Sequence, residues 1–291
     1  MKRKDFIKTM LGATGALSLG VSLKSLSENL KEEDYLMPVL FVGHGSPMNA
    51  IEENEFTKGW KSIAGSIPKP KVILCVSAHW LTKGTFVTAM PHPETIHDFG
   101  GFPKALFDVE YPAPGSPSFA KDVSEIITST PVGLDQNWGL DHGTWSVVRP
   151  MYPEADIPVL QLSIDYYQPG AYHYALAKEL SSLRKKGVLI IGSGNMVHNL
   201  GMVDFSKMDG GGYDWAIEIN EIFKKLITEG NHVPLMNYES LGKSAKLAIP
   251  TPDHYYPLLY TLALQGKNET ATFFNDKAVG GSLTMTSVKI G

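Results

Sequence analysis

The sequence predicts an α/β fold in one domain, with a mostly parallel or mixed central sheet flanked by helices. Three observations predict it. Short, apolar, β-branched runs alternate with stretches of helical spacing. The runs are nearly continuous in hydrophobicity, as strands covered on both faces are. No internal repeat or low-complexity tract interrupts the alternation after the N-terminal segment.

In chain order, residues 37–42 form an apolar run ending in Gly43-His44-Gly45-Ser46-Pro47, a buried strand entering a tight loop. Helical spacing follows over 54–63. A second buried strand spans 71–77 and ends at Ala78-His79-Trp80, and a third spans 85–90. Residues 92–117 are rich in Gly, Pro and aromatics and have no period. A loop that long in a compact domain is more often functional than idle. A helix is expected over 118–129, and Asp141-His142-Gly143-Thr144-Trp145 reads as a glycine-containing turn leading into helix. Then come a strand over 158–164, a helix over 171–185 and a buried strand over 187–191 running into Gly192-Ser193-Gly194-Asn195. Helices over 213–229 and 255–264 and strands over 269–275 and 281–288 complete the chain.

Composition narrows the function classes. The chain has 291 residues, 43% hydrophobic and 19% charged, which is ordinary for a globular protein able to bury a core without disulfides. A net charge of −4 with interspersed signs and no basic run argues against nucleic acid as a partner. No segment after the N-terminus is long and apolar enough to be an integral membrane span. Association into a homo-oligomer is left open. Cys75, the single cysteine, excludes an internal disulfide and Cys-x-x-Cys zinc motifs, and its apolar run makes it a small buried strand residue. A metal site here is therefore built from nitrogen and oxygen ligands.

Residues 1–36 read as a leader and linker, and 37–291 as the single folded domain. Lys2-Arg3-Lys4 and the mildly apolar, Gly/Ala/Ser-rich stretch to Leu23 have the layout of an export signal. Arg3-Lys4-Asp5-Phe6-Ile7-Lys8 resembles a twin-arginine pattern with lysine in the second place, which would make the protein periplasmic. The alternative is a frayed amphipathic helix on a cytoplasmic protein.

Open α/β sheets place ligands just beyond the carboxyl ends of their strands. His44, His79 and His198 lie at or after such ends, and His254 sits just before a helix. A lone histidine there is more often structural; several at equivalent ends point to a shared site. The glycines beside His44 let the backbone bend and another group come close. Gly192-Ser193-Gly194-Asn195 could cradle a phosphate, but it fits neither a P-loop nor a dinucleotide fingerprint. Imidazole suits zinc, iron, copper and nickel. With open positions, such a metal can bind a catechol through both oxygens and leave a place for dioxygen. A further histidine can act as general base, because its ordinary pKa lies near neutrality.

Six segments carry a resemblance: Gly43-His44-Gly45-Ser46-Pro47, Ser77-Ala78-His79-Trp80, His97-Asp98-Phe99-Gly100-Gly101-Phe102-Pro103, Asp141-His142-Gly143-Thr144-Trp145, Gly194-Asn195-Met196-Val197-His198-Asn199-Leu200 and Pro252-Asp253-His254-Tyr255-Tyr256-Pro257. In this order they resemble the LigB-like class III extradiol ring-cleaving dioxygenases, in the DOPA 4,5-dioxygenase branch, from about Pro38 to the C-terminal strands. The resemblance implies a single-domain fold around a mixed sheet. It implies one non-haem divalent metal, Fe(II) for dioxygenase activity or Zn(II) as often found, and a small aromatic diol and dioxygen as partners. It makes His44 and His79 the first two ligands and His254 the third. His198 either completes a four-histidine shell or serves as acid/base, and His142 is a second catalytic histidine facing substrate or oxygen. The loop with His97, Asp98 and Phe99 becomes a lid or substrate wall, and Tyr256 with Ser163 and Asp165 lines the pocket. Many relatives of this class use a carboxylate as third ligand; here the matching segment offers His254 with Asp253 beside it. An all-histidine shell is less anionic and holds zinc well. The implied reaction opens the ring beside the diol to a semialdehyde, which for a DOPA-like substrate cyclises to a pigment. A zinc-dependent hydrolase and a non-catalytic binding protein are the competing readings.

Overall fold

A computed structural model describes residues 30–291. The expected export leader, residues 1–29 of the 1–36 segment, lies outside the described residues. The central sheet has six strands in the order β6-β2-β8-β1-β12-β9. These are β1 (Val39–Gly43), β2 (Val72–Ser77), β6 (Val159–Gln161), β8 (Val188–Gly194), β9 (Ala271–Phe274) and β12 (Ser287–Ile290). β6, β2, β8 and β1 run parallel, while β12 is antiparallel to both β1 and β9. The sheet is thus mixed and mostly parallel, as the sequence predicts.

Period-two alternation divides the strand side chains between two cores. Val39, Phe41, Val72, Leu74, Val188 and Ile190 join the helices Pro117–Ile126, Gly170–Glu179, Asp214–Thr228 and Tyr256–Ala263 on one face. Leu40, Val42, Ile73, Cys75, Leu189 and Ile191 join Trp60 of helix Glu55–Ser66 and Trp145 of helix His142–Met151 on the other. Cys75 is fully buried, and burial pushes its thiol well above the ordinary range, as suits a core residue. Asn54 starts helix Glu55–Ser66 through a capping box with Thr57.

Several boundaries differ from the sequence expectation, each for a local reason. The strand expected over 158–164 breaks after Gln161. Its chain leaves β2 at Leu162, whose N–H still donates to Cys75, and Ser163 N–H donates to Phe86 instead. β7 (Ile164–Asp165) then pairs with β3 (Leu81–Thr82). β4 (Thr85–Thr88) lies outside the main sheet and pairs with β5 (Val132–Asp135), a strand without an apolar pattern in the sequence. The last expected strand divides into β11 (Leu283–Thr284), paired with β10 (Ala278–Val279), and β12. Helices Lys104–Phe107, Val233–Met236 and Lys243–Ala248 are too short for a readable period. Among the described residues no helix is long and apolar enough to cross a membrane.

Gly192-Ser193-Gly194 belongs to β8 and pairs with β1, so it is not a phosphate loop. A Cβ on Gly192 would stand 2.2 Å from the Pro257 carbonyl oxygen, and one on Gly194 would stand 2.1 Å from that of His254. The glycines let the 254–257 segment lie directly on the strand. Gly43 does the same for Met285, whose carbonyl oxygen would be 2.6 Å from a Cβ.

Buried Arg184 closes the domain. It donates to the carbonyls of Met37 (2.8 Å) and Leu264 (2.6 Å) and pairs through two nitrogens with Glu269. Replacing it with alanine strands a carboxylate and two carbonyls, so Arg184→Ala is expected to cost about 3 kcal/mol in urea unfolding. Burial pushes Glu269 up, but Arg184 and the Gly266 N–H outweigh it and hold the carboxyl below its ordinary value. The contribution of this ion pair is therefore full at neutral pH and lost as pH falls through that depressed value. Unfolding followed from pH 7 downward in wild type and Arg184→Ala should show the gap between them closing in acid.

Candidate metal centre

Five histidines meet at the carboxyl ends of the parallel strands. His44 follows β1, and its N–H donates to Gly194 (3.0 Å). His79 follows β2 after Ala78, whose N–H donates to Ser193 (3.0 Å). His142 is the first residue of its helix; Asp141 is the N-cap and accepts from Thr144 N–H at 3.1 Å. His198 follows β8 and is pinned by its N–H to Ala248 (2.8 Å). His254 precedes helix Tyr256–Ala263, and its carbonyl accepts from Asn195 N–H at 2.9 Å. His44, His142 and His254 are buried, whereas His79 and His198 are half-buried and mark the open side.

The ring centres of His44, His79 and His254 form a nearly equilateral triangle, with sides of 5.1, 5.1 and 5.0 Å. A divalent ion bound by a ring nitrogen at about 2.1 Å sits about 3.2 Å from the ring centre. Ligand directions about 90–110° apart then separate ring centres by about 4.6–5.3 Å, so the triangle fits one ion. By ligand-atom distance, His198, Asp253 and His254 lie within 4.8 Å of one another, and so do His44, His79 and His142. The His142 ring, however, packs 3.8 Å from His79 and 5.9 Å from His44, outside that triangle. His198 stacks on His254 at 3.5 Å and 6°. Stacked parallel rings keep their nitrogen lone pairs in separate parallel planes, so the two do not converge on a shared ion.

Hydrogen bonds on the outer nitrogens set the tautomers. Ser193 Oγ gives its one hydrogen to the Gly143 carbonyl, so toward His44 Nδ1, 3.0 Å away, it is an acceptor. The proton then sits on Nδ1, and the Nε2 lone pair of His44 faces His79 Nε2 at 3.3 Å. Asp253 takes His254 Nδ1. Asp98 faces two rings without an aligned hydrogen bond to either: Oδ2 lies 3.4 Å from His79 Nδ1 and Oδ1 lies 2.9 Å from His142 Nδ1, which has no hydrogen-bond partner. An outer N–H held by a carboxylate or hydroxyl, with the inner nitrogen free, is the arrangement found around metal-bound imidazole.

The electrostatics agree. Burial first, then the neighbouring histidines, pushes His44 and His79 well below the ordinary imidazole value. Burial and His254 push His198 down to about 3. These rings are neutral at neutral pH, the form that ligates. The two Nε2 atoms at 3.3 Å can be joined by one proton, His79 donating to His44, or by one cation standing between them. Burial raises the Asp253 carboxyl, but hydrogen bonding and charge from His254 hold it well below the ordinary carboxylate range.

The remaining expected residues separate. Asp98 touches His79 and His142, and the Phe99 ring lies 5.5 Å from His142. His97 turns from the cluster: Nε2 pairs with the Val109 carbonyl at 3.0 Å and the ring packs on Trp145 and Phe107. The loop is strapped down, with Ile96 N–H donating to Leu140, Leu140 N–H to Glu94 and Trp145 Nε1 to Ile96. Its bonding is that of a wall, not of a hinged lid. Tyr256 packs its ring 4.4 Å from His173. Ser163 Oγ accepts from Thr82 and Phe86 N–H, and Asp165 is buried in β7.

Sequence reasoning missed the supporting groups. Ser193 was visible only as part of a glycine-rich string. Asp141, fully buried, accepts from Ser77 Oγ (2.6 Å), Gln161 Nε2 (2.6 Å) and Trp138 Nε1 (3.3 Å), tying β2 and β6 to the His142 helix. Burial, then the charge of Asp98, raises its carboxyl above the ordinary value. Its place ahead of His-Gly-Thr was the one signal, as an N-cap residue.

Comparison with known proteins accounts for this arrangement. Residues 37–283 match the model of the catalytic LigB subunit of aromatic ring-opening dioxygenase. The chain belongs to the LigB family. A relative from Escherichia coli named 4,5-DOPA dioxygenase extradiol is 48% identical over 88% of this chain and 95% of its own length. One from Beta vulgaris with the same name is 37% identical over 88% and 97%. A crystal structure of an uncharacterized protein from Escherichia coli K12 superposes with a TM-score of 0.76 at 43% identity, covering 88% of this chain and all of that one. The LigB family is one of extradiol dioxygenases, an oxidoreductase class, and the mixed sheet with its helices is the LigB fold.

Gly143 tests the packing of the centre. A Cβ there would lie 2.4 Å from Ser77 Oγ and 2.8 Å from the His79 ring. Gly143→Ala should cost about 1–3 kcal/mol of stability by overpacking and shift His79. Urea unfolding and zinc titration of the purified variant should both record the loss.

Proposed function

We propose that this protein is a metal-dependent extradiol dioxygenase that opens the ring of a DOPA-like catechol with dioxygen. The observation that carries the reading is the triangle of His44, His79 and His254, with the outer nitrogens of His44 and His254 held by Ser193 and Asp253 and the Asp98 carboxylate 3.4 Å from that of His79. These three residues would hold the ion. Bound there, Fe(II) supplies the chemistry by which dioxygen and a chelated diol react; Zn(II) fits the same donors without that redox step. The names of the relatives support DOPA as the substrate class.

This chain's own residues do the rest. Neutral His198 stands against His254 on the open side, placed to accept the proton of a catechol hydroxyl. Its stacking on His254 favours that role over fourth ligand. His142, with Phe99 across its face, bounds the site beside His79.

Reconstitution of metal-free protein with Fe(II), and separately with Zn(II), tests the reading. L-DOPA is then added in air while oxygen uptake and the visible spectrum are recorded. Oxygen consumption with a new yellow chromophore in the Fe(II) sample alone is expected. Silence with Fe(II) beside tight zinc binding would move the assignment to a zinc-dependent hydrolase. His44→Ala and His79→Ala should each abolish metal binding, and His142→Ala should keep the metal and lose turnover. Near-normal metal content in both of the first two would overturn the site.

A further inference from the structure

We propose that Asp141 is a positioning residue: its buried carboxylate, acting through Ser77 and through the helix it caps, holds the His79 and His142 rings in place beside each other. This rests on the metal-centre reading above and extends it to a residue behind the histidines.

Asp141 is fully buried, as are Ser77 and Gln161. Its two oxygens face four donors. Oδ1 accepts from Ser77 Oγ at 2.6 Å and from Thr144 N–H at 3.1 Å. Oδ2 accepts from Gln161 Nε2 at 2.6 Å and from Trp138 Nε1 at 3.3 Å. Only an ionised carboxylate accepts at both oxygens and carries no proton of its own. Three of the donors lead back to a histidine. Ser77 Oγ accepts from His79 N–H at 3.2 Å, so the carboxylate fixes the hydroxyl and the hydroxyl fixes the His79 backbone. Thr144 lies in the first turn of the helix that His142 begins. The Trp138 ring stacks on that of Trp80, the residue after His79, at 5.9 Å and 2°. The fourth donor, Gln161, anchors the carboxylate to the sheet, where it pairs with Cys75 of β2. Gly143 sits where these parts meet, since a Cβ on it would contact Ser77 Oγ, the His79 ring and Asp141 Oδ1 together. The His79 and His142 rings, 3.8 Å apart, are thereby set from one point.

Gln161 separates this role from simple packing. Its Oε1 accepts from the Asp141 backbone N–H at 2.9 Å, which fixes the amide so that Nε2 faces Oδ2. Asp141→Asn keeps the size of the side chain but sets an NH2 group in place of one oxygen. At the Oδ2 place that group confronts Gln161 Nε2 and Trp138 Nε1, both donors; at the Oδ1 place it confronts Thr144 N–H. Gln161→Glu alone sets a second carboxylate against the first in the interior. Combined, the two changes exchange the groups. The introduced amide donates to the introduced carboxylate, whose other oxygen keeps the backbone N–H of residue 141. Ser77 and Thr144 keep an oxygen to bind. One negative charge remains, moved by one side chain. Trp138 loses its acceptor, but it is only half-buried.

The experiment uses the full chain, with zinc as the probe titrated in competition with a chelator. Proton spectra of the metal-free protein report the contact between the His79 and His142 rings, and urea unfolding identifies the variants that fold. Wild type should bind zinc and show the ring contact. Asp141→Asn and Gln161→Glu should each lose the contact and bind zinc at least about tenfold more weakly. The double variant should regain the contact and most of the affinity. Folded Asp141→Asn with wild-type affinity or an intact ring contact would overturn the inference, as would a double variant no better than the weaker single one. Should Asp141→Asn fail to fold, Ser77→Ala decides. It cuts the link to His79 N–H and should both weaken zinc binding and displace the rings; wild-type behaviour in either would overturn the inference. Wild-type protein that takes up neither zinc nor Fe(II) would overturn the metal-centre reading instead, and the ring contact would still decide the role of Asp141.

Discussion

Packing five imidazoles into one corner demands that buried ring nitrogens find partners, because an unsatisfied polar group in the interior costs about 1–3 kcal/mol. Part of the surrounding structure answers that demand. Ser193 answers it for His44 and Asp253 for His254, while Asp98 sets a carboxylate beside His79 and His142. Each acceptor in turn needs a fixed place. Ser193 has one because it is part of a paired strand and is tied to Gly143. Asp98 has one because its loop is bound to Leu140, Trp145 and Val109.

The same corner requires close approach of backbones. The strands that end there carry glycine where another segment crosses: Gly43 under Met285, Gly192 under Pro257 and Gly194 under His254. A side chain at Gly192 or Gly194 would lift the 254 segment from β8 and open the triangle. The helix bearing His142 obeys a similar rule, with Gly143 pressed on Ser77 and the His79 ring. The fold and the centre are therefore not separable layers of description. The sheet terminates where it does so that its glycines can seat the histidine-bearing segments.

Legibility in the sequence varied with how local the signal was. β1, β2 and β8 were readable because buried parallel strands are continuous apolar runs, and the two cores follow from their alternation. β5 was not, since Val132-Gly133-Leu134-Asp135 has no strong pattern and exists by pairing with β4. The single run expected over 158–164 divides because Ser163 finds its acceptor in Phe86. The histidines themselves were legible as residues at strand ends and through their motifs, including His254 with Asp253 beside it. His97 and Tyr256 shared those motifs, yet their rings pack against Trp145 and His173.

The sequence by itself determined the α/β class, the histidines at its strand ends and, through its motifs, the resemblance to the LigB family. These depend on local composition and order, which a linear string preserves. Only the tertiary structure decided which three rings share a triangle, that His198 lies flat on His254, and that Asp98 faces two histidines. Those are relations of distance and angle between residues from 19 apart in the chain, His79 and Asp98, to 210 apart, His44 and His254. Such relations exist only once the sheet has brought its strand ends together.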